Sequence, residues 1–233
     1  KTGERAVVLI DEYDKPLLDV MDKNIPAPVV NGDIKTLTDY NRGILKGFYS
    51  IFKLADDHLQ FVLLTGVTKF SQISVFSGFN QPDDISYDAR YEALCGITKD
   101  EMLNVFKQQI KELGIKNGMT ETEAIDMLTR KYDGYHFSED MTDIFNPFSL
   151  LNCLSKKKFS DYWFSTGTPE YLMRLMSDNN VNINELAGKE YIPAEFVDYN
   201  ASKQKPLPML YQSGYLTIKG YNRMANIYTL DIP

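Results

Sequence analysis

The chain has 233 residues, 43% of them apolar and 24% charged, with a formal net charge of −7. That is enough apolar material for a buried core, and it excludes a disordered or low-complexity segment. The acidic balance, with Lys156-Lys157-Lys158 as the one basic run, argues against a phosphate-gripping surface and leaves nucleic acid at most an indirect partner.

In chain order, the first feature is Ala6-Val7-Val8-Leu9-Ile10, an unbroken apolar run that leads into Asp11 and Glu12. Such a run predicts a strand buried on both faces of a parallel sheet. Ligands of these sheets bind beyond the carboxyl ends of the strands, where the two acids would stand. Asp11 could hold Mg²⁺ and Glu12 could orient or deprotonate an attacking water, which is the Walker B pattern of nucleotide hydrolysis. The alternative is an acidic turn after a buried strand, with no chemistry attached.

Lys15-Pro16 interrupts a simple strand-to-helix step, and residues 24–33 read as a Pro- and Asn-containing loop. A helix is predicted from Thr38-Asp39 to about Asp57, with Ile44, Leu45, Phe48, Ile51, Phe52 and Leu54 on one apolar face. Phe61-Val62-Leu63-Leu64-Thr65 follows as a second strand, which completes a parallel βαβ crossover. In additional-strand ATPases a polar residue at the tip beside Walker B senses the γ-phosphate. Thr65 is the best-placed candidate, with Thr68 and Lys69 behind it, and a plain polar turn is the competing reading. Should the sheet lack a strand on the far side of this second one, as the family resemblance given below implies, that edge is expected to be open or filled by a substitute from elsewhere in the chain or from a partner molecule, for which Ile85–Asp88 is nearest.

Residues 71–80 are rich in Ser, Gly and aromatics, and an edge strand is expected within residues 85–94. From residue 98 onward helices dominate. Capping boxes open two of them, Thr98 with Glu101 and Thr120 with Glu123, and the first is expected to run to about Leu113. Asn146-Pro147 and Thr168-Pro169 open two more. Leu207 to Ser213 is a short helical stretch. Tyr215–Lys219 and Ile227–Leu230 alternate as a β-hairpin with its turn at residues 220–223. Cys95 and Cys153 stand far apart, and neither forms a metal-ligand spacing with His58 or His136. This favours a reduced, cytoplasmic setting. His136 reads as a packed residue of the helical region. No apolar stretch reaches the ~20 residues of a membrane span, so no membrane partner is expected.

Seven strings together resemble the AAA-ATPase-like family of Bacteroidetes and anaerobic bacteria. They are VVLIDEYDKPLLD (Val7 to Asp19), LKGFYSIFKLADDHLQFVLLTGVTKFSQISVFSGFN (Leu45 to Asn80), CGIT (Cys95 to Thr98), YDGYHF (Tyr132 to Phe137), NPFSLLN (Asn146 to Asn152), YWFSTGTPEYL (Tyr162 to Leu172) and YQSGYLTI (Tyr211 to Ile218). The resemblance implies an α/β plus α fold: a truncated P-loop NTPase core of additional-strand type, a helical lid and a winged-helix-like tail. The corresponding segments are 1–97, 98–165 and 166–233. It also implies ATP and Mg²⁺ as cofactors of the full-length protein, a homo-oligomer, and a PD-(D/E)XK nuclease-like domain following in cis. Arg42, Arg90, Arg130 and Arg174 are each conceivable as an arginine acting on the γ-phosphate.

One departure from that family stands out. No G-x-x-x-x-G-K-[ST] string occurs in the 233 residues, so the chain reads as a fragment that binds no nucleotide by itself. The expected function is part of an ATP-hydrolysing protein that couples turnover to an appended, nuclease-like effector. A non-hydrolysing regulatory or protein-interaction module is the alternative.

Overall fold

The computed structural model describes residues 3–21, 25–27, 36–69, 76, 82–163, 170–197 and 205–233. In chain order the elements are β1 (Ala6–Ile10), α1 (Lys15–Leu18), α2 (Leu37–Leu54), β2 (Leu59–Leu64), β3 (Ile97–Thr98), α3 (Lys99–Val105), α4 (Lys107–Asn117), α5 (Glu121–Tyr132), β4 (Ile144–Phe145) and α6 (Pro147–Lys156). They continue as α7 (Glu170–Asp178), α8 (Ile183–Leu186), β5 (Lys189–Tyr191), α9 (Pro193–Phe196), α10 (Pro206–Gln212), β6 (Thr217–Asn222) and β7 (Ile227–Asp231). These elements gather into two compact units, each built from separated pieces of chain. The first comprises Lys1–Asp83, Tyr171–Val181 and Ala194–Ser213; the second comprises Asp84–Glu170, Asn182–Pro193 and Gly214–Pro233. This grouping cuts across the three consecutive segments read from the sequence.

In the first unit β1 and β2 pair in parallel, with Val7 opposite Phe61 and Ile10 opposite Leu64. The crossover between them contains α2, as the apolar spacing predicted. Its cap is Thr36, whose hydroxyl accepts from the Asp39 amide at 3.2 Å, so the helix starts before Thr38. Pro16 does not break the path out of β1. It occupies the first turn of α1, where its missing amide hydrogen and fixed φ cost nothing. Among the described residues the sheet has these two strands and no third.

Burial differs from the expectation of a strand covered on both faces. Val7 is 59% exposed, Leu9 67% and Phe61 53%. Alternation along a strand puts Val7 and Leu9 on one face, and the register adds Phe61 to it. The apolar run is thus a one-sided strand among the described residues, with its other face turned inward. Ile85–Asp88 does not supply a substitute strand. Asp88 accepts from the Arg90 amide at 2.9 Å and from the Arg90 guanidinium, and this fixes a one-turn 3-10 helix at Ala89–Tyr91. Leu17, Met21, Tyr49, Leu172, Leu175, Phe196, Met209 and Leu210 are buried in this unit.

The second unit is organised around α4, α5 and α6. Ile110, Leu113, Ala124, Leu128, Leu150, Cys153 and Leu154 form its core, joined by Met102, Tyr132 and Phe145. Both capping boxes form, with Thr98 and Thr120 each accepting the amide three residues on and each Glu reaching back. The first predicted helix is divided at Phe106 into α3 and α4. Asn146 caps α6 through the Ser149 amide at 2.9 Å. Gly96 has no room for a side chain, because a Cβ there would lie 1.8 Å from Ile144 Cγ2. The hairpin of β6 and β7 is joined by β5 in the order β5-β7-β6, antiparallel throughout. Its turn lies at residues 223–226 rather than 220–223. The Asn222 side chain accepts from the Met224 and Ala225 amides, and Asn226 takes a left-handed φ of 50°.

His136 is held by that hairpin. Its amide donates to Thr217 Oγ1 at 2.7 Å, and its ring nitrogens face the Ile218 carbonyl at 2.5 Å and Asp143 Oδ1 at 2.8 Å. It is therefore a packed, hydrogen-bonded residue, as its isolation from other ligand types suggested. The helix start at Thr168-Pro169, the loop at residues 24–33 apart from Ile25, Pro26 and Ala27, and the stretch 71–80 apart from Phe76 lie outside the described residues. No described helix is long and apolar enough to cross a membrane.

The core and the caps are expected to differ in weight. Leu128→Ala, which removes a fully buried side chain from α5, should cost about 2–5 kcal/mol. Thr120→Ala, which removes one cap, should cost about 1 kcal/mol. Urea unfolding of the two variants beside the wild type measures both.

Candidate functional site

Parallel pairing carries the ends of β1 and β2 to the same edge of the sheet, and this brings Asp11 and Thr65 together. Thr65 extends the ladder by one residue. Its amide donates to the Ile10 carbonyl at 2.8 Å, and its carbonyl accepts from the Tyr13 amide at 3.0 Å. With its backbone fixed on both sides, Thr65 Oγ1 donates to Asp11 Oδ1 at 2.6 Å. A hydrogen bond to an ionised carboxylate is among the stronger kinds. The same oxygen accepts from the Glu12 amide at 2.9 Å.

Glu12 pays for that arrangement with its backbone. Its φ is +53°, in the left-handed region that residues with a side chain seldom occupy. Such a conformation costs about 1–3 kcal/mol and is concentrated at functional sites. The turn is exposed, as are both Asp11 and Glu12. Among the described residues the Glu12 carboxylate accepts no hydrogen bond.

Thr68 and Lys69 take different places from Thr65. Thr68 is buried, and its hydroxyl donates to Met209 Sδ at 3.3 Å, away from the two acids. The Lys69 amide donates to Gln212 Oε1 at 3.0 Å, and Gln212 Nε2 donates in turn to the Val197 carbonyl at 2.6 Å. These two residues therefore tie the exit of β2 to α9 and α10. Of the four arginines considered, Arg42 pairs with Asp39 on α2 at 2.8 Å and Arg90 pairs with Asp88.

Sequence reading missed Asp14, which is 1% exposed and accepts from the Thr68 amide at 2.5 Å. Its pKa is raised, chiefly by burial, with the charge of Glu12 adding to the effect and the amides of Thr68 and Val67 opposing it. It also missed Gly66. A Cβ on that residue would lie 2.6 Å from Asp14 Oδ1 and 2.7 Å from Tyr13 Cδ1. The signals present were a third acid, Asp14, close behind Asp11 and Glu12, and a glycine just past the tip of the facing strand.

The donor set suits a metal bound mainly by a ligand of its own. No described group of three or more His, Cys, Asp or Glu side chains could cage an ion. One exposed aspartate with a free second oxygen matches how Mg²⁺ is held at phosphate sites, through one or two carboxylates, waters and phosphate oxygens.

A family model described as a predicted AAA-ATPase matches residues 1–76, which contain Asp11, Glu12 and Thr65. A protein of Azotobacter chroococcum mcd 1, described as an uncharacterized protein in the vnfD 5' region, is 36% identical over 223 residues. That similarity covers 96% of this chain and 39% of the relative, so the chain spans about two-fifths of its length. No solved structure matches the chain.

The raised pKa of Asp14 gives this site a pH signature. A carboxyl that binds its proton more tightly folded than unfolded stabilises the fold at low pH and loses that contribution as pH rises through the raised value. The stability of the wild type relative to Asp14→Asn should therefore fall as pH rises from about 4 towards neutrality. Urea midpoints of both proteins across that range check the sign.

Proposed function

We propose that this chain carries the Walker B and sensor strands of an ATP-hydrolysing site. The observation that carries the reading is the pair Asp11 and Thr65, hydrogen-bonded across the tips of two parallel strands with Glu12 strained beside them. The match of residues 1–76 to a predicted AAA-ATPase family supports it.

On this reading Asp11 keeps one oxygen on Thr65 and offers the other to Mg²⁺, which when bound neutralises charge on the β- and γ-phosphates. Glu12, whose carboxylate extends from an exposed turn, takes the proton of the attacking water or fixes its orientation. Thr65 links the two strands, so that a change at the γ-phosphate reaches Asp11 through one hydroxyl. The phosphate-binding loop comes from elsewhere in the full-length protein. The C-terminal portion of that protein, nuclease-like in the family this sequence resembles, is the element coupled to turnover, and the working form is a homo-oligomer.

Glu12→Gln in the full-length protein should leave Mg²⁺–ATP affinity within about threefold and lower kcat by roughly 100-fold or more, the span typical of a lost general base. Asp11→Ala should weaken Mg²⁺-dependent binding itself. Calorimetry and a phosphate-release assay separate the two effects. Wild-type turnover in Glu12→Gln would remove Glu12 from the mechanism. Equal activity with and without both acids would favour a regulatory module instead.

A further inference from the structure

Asp14 has no part in the hydrolysis scheme, yet the exit of β2 is built around it. It stands at the residue before α1, where an aspartate ordinarily caps its own helix, and it makes no such cap. Its carboxylate turns instead to the exit of the other strand, where it accepts from the Thr68 amide at 2.5 Å. Tyr13 closes the same corner. Its amide donates to the Thr65 carbonyl at 3.0 Å and its hydroxyl to the Thr68 carbonyl at 2.9 Å. Gly66 passes so close to both side chains that no Cβ fits. Burying a carboxylate is unfavourable unless its hydrogen bonds are made, so this corner has essentially one arrangement.

We propose that Asp14 is a positioning residue for the contact between Thr65 and Asp11. The carboxylate fastens the exit of β1, three residues past Asp11, to the exit of β2, three residues past Thr65. The strand ladder fixes the backbone of Thr65 up to its carbonyl. Beyond it the chain leaves through a glycine, which tolerates many directions. Holding Thr68 selects one of those directions. Together with the Tyr13 bonds it also holds the turn that carries Asp11 against the tip of β2, so that the Asp11 carboxylate stays where one of the three staggered positions of the Thr65 hydroxyl meets it. The consequence for turnover rests on the reading of Asp11, Glu12 and Thr65 as a hydrolytic site; the geometric claim does not.

Two measurements test it separately. Three-bond scalar couplings at Thr65, in the chain labelled with carbon-13 and nitrogen-15, report how many side-chain rotamers are populated. The wild type should show one rotamer and Asp14→Ala should average between rotamers. Asp14→Asn, which keeps an acceptor oxygen, should return to one. Where Asp14→Ala does not fold, Gly66→Ala serves: its Cβ displaces the carboxylate and should produce the same averaging. A single wild-type rotamer in whichever of these variants folds overturns the positioning claim.

In the full-length protein, Asp14→Ala should lower kcat by roughly tenfold to a hundredfold, with the KM for ATP within about twofold and Asp14→Asn recovering most of the loss. An unchanged kcat, or parallel changes in kcat and KM, overturns the link to turnover. A wild-type protein that hydrolyses no ATP counts against the hydrolytic reading, and the rotamer result then decides the positioning claim by itself.

Discussion

Four consecutive residue pairs in parallel register, Val7 with Phe61 through Ile10 with Leu64, set everything that follows at the site. Parallel pairing makes both strands end at the same edge, and a shift of one residue would turn every side chain to the opposite face. In the observed register Thr65 follows Leu64 and Asp11 follows Ile10, so a hydroxyl and a carboxylate meet without any loop having to bring them there. The left-handed Glu12 is the local cost of turning the chain immediately after this meeting. Its amide is then spent on the same Asp11 oxygen that the hydroxyl uses.

The corner behind the site has a different chemistry from its front. Asp11 and Glu12 face solvent, whereas Asp14 is buried and accepts from the Thr68 amide beyond the end of β2. Three acids within four residues thus have separate environments. The buried one is pushed toward its neutral form by desolvation and by Glu12, and is pulled back by its hydrogen bonds. Gly66 belongs to this arrangement as much as Asp14 does. The carboxylate fills the space that a side chain at position 66 would need.

Much of this was legible in the sequence, and the limits have physical causes. The apolar runs before Asp11 and Thr65 located both strands, and the capping boxes at Thr98 and Thr120 located two helix starts, because these signals act within a few residues. The α2 cap was misplaced by two residues because Thr36, Thr38 and Asp39 are all chemically able to serve. The burial of Thr68 against Met209 was not legible. Nothing near residue 68 announces a partner 141 positions away. Asp14 was overlooked for a related reason: a carboxylate before a Lys-Pro step looks like a helix cap, and only the facing strand reveals another use for it. The edge strand expected near Ile85 was lost to a local bond, since Asp88 and Arg90 close a turn more readily than they extend a sheet.

The distance in sequence between Lys69 and Gln212 bears on how the protein is made. The amide of one and the side chain of the other are joined across 143 residues. A ribosome adding about 5–20 residues per second needs roughly 7–30 s to span that interval. The strands that carry Asp11 and Thr65 are therefore synthesised well before the helix that fastens their exit. The helical unit synthesised in between draws much of its structure from neighbours close in sequence, a kind of contact that forms quickly. The first unit is therefore completed only once α10 has been made, although its strands come first, and Thr68 and Lys69 lack Met209 and Gln212 until then.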